Sequence, residues 1–81
     1  MTKADLLRAI DTALAGQWHD AHGIVQADEA DSTACWIHAV LHKIEGDAGN
    51  ARYWYQRAGR LDRVGDDPPS ELAAIRDALE G

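Results

Sequence analysis

Four histidines carry the most chemistry in this 81-residue chain, and they fall in two pairs: His19 with His22, and His38 with His42. The first pair is spaced i, i+3 and the second i, i+4, so each pair projects from one helix face if its segment is helical. Glu45 shares the face of His38 and His42. Imidazoles at these spacings are familiar ligand pairs for zinc and other divalent ions, and three ligands with an open position permit hydrolytic chemistry. Two readings follow. In one, the four histidines His19, His22, His38 and His42, or two of them with Glu45, bind zinc, another divalent ion or a haem. In the other, His38 and His42 are half-buried and hydrogen-bonded to Tyr55, a backbone carbonyl or Glu45. The phasing of the helices favours the second, turning His38 and His42 toward the fourth helix and away from His19 and His22. The chain has no HExxH or CxxC pattern. Its one cysteine, Cys35, precedes His38 by three residues without an orienting third group, and reads as a buried thiol.

A second cluster is aromatic and basic. Tyr53, Trp54 and Tyr55 are consecutive, and at about 100° per residue no single helix face buries all three. Ala51, Tyr55 and Ala58 align, Trp54 lies at the edge of that stripe, and Tyr53 falls nearly opposite, beside Arg57 and Arg60. Tyr55 is therefore expected in the core and Tyr53 in solvent. Trp36, Tyr53, Trp54, Arg57 and Arg60 form the candidate contact surface for a protein partner, since aromatic and arginine side chains dominate interface energetics.

Charge narrows the partners. The chain carries −6 overall, yet residues 52–63 hold Arg52, Arg57, Arg60 and Arg63 against only Asp62, a local +3. An acidic chain does not attract nucleic acid through bulk charge. The basic island fits a phosphate or RNA contact as a further alternative, or pairs internally with Asp66, Asp67 or Glu71. The N-terminal stretch carries Asp5, Arg8 and Asp11 and reads as neither a signal peptide nor a membrane span. With a single cysteine, the expected setting is cytoplasmic.

The elements that must position these groups are all helical. Apolar spacing follows a period near 3.6 throughout, and no stretch alternates as a strand does. Thr2 with Asp5 starts a first helix whose stripe is Leu6, Ile10, Ala13 and Leu14, and Gly16 ends it. A short second helix spans about Trp18 to Ala27, with Trp18, Ala21 and Val25 inward and Gly23 weakening it. Asp31 or Ser32 caps a third helix that Gly46 closes. It is apolar nearly all round, as a central helix is. A fourth runs from Gly49 or Asn50 to Ala58. Residues 60–69 form a linker, and Pro68, Pro69 and Ser70 open a fifth helix presenting Leu72, Ile75 and Leu79.

Residues 16–26 and 46–56 also match at a 30-residue offset: Gly16 with Gly46, Ala21 with Ala51, Val25 with Tyr55 and Gln26 with Gln56. The repeating unit is a helical hairpin, one over residues 1–28 and one over 32–59. Read from Ala39 to Ala58, the pattern A-x-x-H-x-x-x-GD-x-x-NA-x-x-x-Y-x-x-A resembles the tetratricopeptide-type helix-turn-helix, through Ala39, Gly46, Ala51, Tyr55 and Ala58. It departs from that pattern in its shorter offset and in having His38 and His42 where a leucine and an aromatic are usual. The segment from Trp36 to Arg60 also resembles a widespread group of small uncharacterised proteins, which implies no activity. The tetratricopeptide resemblance implies an all-α fold of two hairpins with a C-terminal capping helix over residues 70–81, used for protein–protein interaction or scaffolding. Two hairpins fall short of the three that usually stabilise a solenoid, so self-association as a homodimer is expected to supply the missing burial.

Overall fold

A computed structural model describes all 81 residues and contains helices and turns but no strand. Five α-helices follow in chain order: α1 Lys3–Leu14, α2 Trp18–Val25, α3 Ser32–Ile44, α4 Ala48–Ala58 and α5 Pro68–Glu80. A 3₁₀ turn, Leu61–Arg63, lies in the linker before α5. No helix is long and apolar enough to cross a membrane.

The helix boundaries are written in local chemistry. Thr2 caps α1 in a reciprocal box with Asp5: the Asp5 amide donates to Thr2 Oγ1 at 3.1 Å, and the Thr2 amide donates to Asp5 Oδ2 at 3.2 Å. Asp31, Asp47 and Asp67 each accept a backbone N–H at the starts of α3, α4 and α5. α2 has no side-chain cap at Gln17.

The two matched glycines end their helices in the same way. Gly16 and Gly46 take φ of +82° and +81°, a conformation that costs other residues a steric penalty. After Gly16, the Gln17 amide returns to the Thr12 carbonyl; after Gly46, the Asp47 amide returns to the His42 carbonyl. Both are Schellman turns. The second has a consequence for the site, because it folds Asp47 back beside His42.

α3 is the central helix. It packs against all four others, and eight consecutive residues, Ala34 to Leu41, are buried. Around it, α1 packs on α2 and α4 packs on α3. Ala21 and Ala51, the matched small residues, are both buried, as are Val25 and Tyr55. α5 adds Leu72 and Ile75 to the same core, with Leu79 partly buried beside it.

Two residues expected inward are not covered. Leu14 and Trp18 are 42% and 43% exposed. They flank the Gly16 turn and line an open groove against the end of α3 and the start of α5, which leaves them only partly covered. α2 is also shorter than the spacing suggests, ending at Val25 rather than Ala27.

Candidate metal centre

Three of the four histidines come together. His22 from α2 and His38 and His42 from α3 each offer a ring nitrogen, and these three nitrogens all lie within 4.8 Å of one another. His22 Nε2 and His38 Nε2 are 2.7 Å apart, so one donates and the other accepts. The His38 ring stacks with His42 at 5.0 Å between centroids and with Trp54 at 3.9 Å. The His22 ring meets both edge-on. His19 is exposed and stands outside the cluster.

This arrangement corrects the expectation drawn from helix phasing. His38 does face α4, where it stacks on Trp54, but its edge is simultaneously turned to His22 on α2. The expected bond to Tyr55 is absent because the Tyr55 hydroxyl lies 2.8 and 2.7 Å from the two oxygens of Glu71.

The electrostatics favour the neutral form of His22 and His38. Burial pushes the His38 pKa down to about 4, with His22 and His42 adding to the effect. His22 is also lowered, first by burial and then by His42. A charged imidazolium loses hydration here and gains like-charged neighbours, whereas a neutral ring keeps a lone pair available. His42 Nδ1 is buried without a hydrogen-bond partner. Its nearest anions are Asp47 Oδ2 at 3.8 Å and Glu45 Oε2 at 4.0 Å.

This geometry suits a bare ion. Zinc holds imidazole nitrogens at about 2.0–2.1 Å, which places neighbouring nitrogens of a tetrahedral site about 3.3–3.4 Å apart. The observed separations, from 2.7 Å to within 4.8 Å, bracket that spacing. Cys35 is not part of the set: its thiol is buried and donates to the Glu29 carbonyl at 3.2 Å.

Of the aromatic and basic residues singled out above, Trp36 and Trp54 are buried, and only Tyr53, Arg57 and Arg60 reach the surface. Arg57 lies over Tyr53 and Trp54 and donates to the Glu29 carbonyl at 2.9 Å. Arg60 covers Trp36 at 4.5 Å. Arg63 pairs with Asp66 at 3.1 Å and Asp62 at 3.7 Å. Arg52 is exposed. Three of the four arginines of the island are thus engaged within the molecule.

The residue that spacing did not reveal is Glu71. It is 2% exposed and accepts from Trp36 Nε1 at 2.8 Å, Tyr55 and Lys43 Nζ at 2.8 Å. Lys43 also donates to the carbonyls of Arg63, Val64 and Asp66. Burial and the Glu71 carboxylate push the Tyr55 pKa upward. This network ties α3, α4, the linker and α5 together. One signal in the sequence pointed to it: Glu71 precedes Ile75 by four residues and therefore lies on the buried stripe of α5.

No family model matches the chain, and no match was found among curated proteins or solved structures.

Proposed function

We propose that this protein is a small helical metal-binding module that holds a divalent ion of the zinc type through His22, His38 and His42. The observation that carries this reading is the convergence of three imidazoles from two helices, with their nitrogens within 4.8 Å. Three further features support it. Imidazole donors suit zinc, copper and nickel rather than calcium or magnesium. Burial keeps His22 and His38 neutral near pH 7. The buried His42 Nδ1 lacks a partner, and a metal ion is a partner that a lone pair can take.

Tag-free protein, stripped with chelator and titrated with zinc in a calorimeter, tests the reading. The expected result is one ion per chain, lost in His38→Ala and retained in His19→Ala, whose ring is outside the cluster. Absence of uptake at about tens of micromolar zinc, or equal loss in both variants, overturns it.

A second reading, a protein-docking module built on tetratricopeptide-like hairpins, draws support from one open apolar groove of about 500 Å³. Leu14, Trp18, Ile44, Pro68, Pro69 and Leu72 line it. Leu14 and Trp18 are exposed there, and exposed apolar groups gathered at one groove are typical of contact sites. Sedimentation of the wild type and of Trp18→Ser tests this reading for a homodimer. A wild type that stays monomeric at high concentration removes the dimer.

A further inference from the structure

Resting on the three-histidine reading, we propose that Glu45 is the fourth ligand, so that the ion is enclosed by three imidazoles and one carboxylate. Glu45 is the C-cap residue of α3, three positions after His42 and seven after His38. That places all three on one stripe of the helix. Glu45 Oε2 lies 4.0 Å from His42 Nδ1, the buried nitrogen without a partner. Glu45 stands just outside the three nitrogens, so its side chain must swing inward to reach an ion held among them.

Asp47 is the competing carboxylate, at 3.8 Å from the same nitrogen. It is committed elsewhere. It caps α4, accepting the Asn50 backbone N–H at 3.2 Å and the Asn50 side-chain amide at 2.6 Å. Moving Asp47 onto an ion breaks that cap, whereas the Glu45 side chain is 41% exposed and has no hydrogen-bond commitment, with the His42 ring 4.0 Å away. A partly exposed carboxylate on the same helix stripe as His38 and His42 can swing in to close the coordination shell. A closed shell of four protein ligands is the arrangement of a structural or storage site, because it leaves no position for a reacting water.

Cobalt reports this directly, since its visible absorption is sensitive to ligand number and geometry. Chelator-stripped full-length protein is titrated with Co²⁺ and then displaced with Zn²⁺, in the wild type, Glu45→Gln, Glu45→His and His38→Ala. Circular dichroism confirms that each variant keeps its helicity. The expected result is an intense tetrahedral spectrum in the wild type and at least about tenfold weaker binding with an altered spectrum in Glu45→Gln. Glu45→His, which restores a ligand, recovers the affinity, and His38→Ala does not bind. If Glu45→Gln matches the wild type in affinity and spectrum while His38→Ala loses the ion, the three-histidine reading stands and the role of Glu45 is refuted. If the wild type itself takes up no ion, both fail.

Discussion

Replacing Glu71 by Ala removes the acceptor of three donors at once: the Trp36 indole, the Tyr55 hydroxyl and the Lys43 ammonium. Tyr55 is fully buried and Trp36 nearly so. No other acceptor in the structure serves either group, while Lys43 keeps three backbone carbonyls. Breaking a buried charge pair by deleting one partner costs about 3–5 kcal/mol. An 81-residue domain has ~4–12 kcal/mol of stability in total. In a domain of this size, 1 kcal/mol moves the melting temperature by ~6 °C. Glu71→Ala is therefore expected to melt ~18–30 °C lower, or to be unfolded at the outset. Tyr55→Phe removes one hydrogen bond to a charged acceptor and leaves Glu71 with Trp36 and Lys43, a loss of about 1.5–3 kcal/mol. Glu71→Gln keeps the volume and one oxygen but aims an N–H₂ at donors, and falls between the two. Thermal melts followed by far-ultraviolet circular dichroism at pH 7, with chelator present, give the order. A Glu71→Ala melting point within about 5 °C of the wild type, or Tyr55→Phe as damaging as Glu71→Ala, refutes the reasoning.

Three further outcomes follow from the same structure. Zinc at one hundred times its dissociation constant is expected to add ~2.7 kcal/mol, hence to raise the melting temperature by ~16 °C, and His38→Ala to abolish the rise; a melt insensitive to zinc contradicts the metal reading. Hydrogen exchange with and without zinc is expected to show slowed amides in α2, which has eight residues, no side-chain cap and the exposed Gly23, because the ion ties His22 to α3; equal exchange in both states speaks against that tie. In chelated protein, stability is expected to fall as pH drops from about 6.5 toward 4: the unfolded His38 takes up a proton near 6.5 that the folded ring resists until about 4. The loss saturates below pH 4 for this group, and urea midpoints that stay constant between pH 7 and 5 exclude it.

Much of the fold is legible because the deciding interactions are local. A glycine three positions after a Schellman carbonyl partner ends its helix whatever surrounds it, so Gly16 and Gly46 mark their turns. Thr2, Asp31 and Pro68 mark starts for equally local reasons. Tyr53, Trp54 and Tyr55 separate correctly because a helix wheel assigns directions, and α4 has one packed face: Tyr55 has no exposed surface, Trp54 has 9% and Tyr53 has 50%. Direction is nevertheless all that a wheel supplies. Leu14 and Trp18 point along the inward stripe of their helices, yet the elements beside them leave an open groove and cover them only in part.

The histidine cluster escaped for a related reason, which concerns the shape of the side chain. Phasing asks which neighbour a residue faces and returns one answer. An imidazole has a flat face that stacks and an edge that donates or accepts, and the two are perpendicular. His38 uses its face against Trp54 of α4 and its edge toward His22 of α2, so phasing places the face on α4 and wrongly turns the residue away from α2. α3 sits between both helices, and only a residue on the boundary between two packed sides can serve both. Glu71 shows the same limit in another form. Its position on the buried stripe of α5 is visible from its spacing to Ile75, yet whether a buried carboxylate is a fault or a hub depends on donors that arrive from Trp36, Lys43 and Tyr55. These lie 35, 28 and 16 residues away in the chain. Convergence over such separations is set by how helices cross rather than by what each helix contains. Functional groups held at helix crossings are therefore the part of this molecule that residue spacing leaves open.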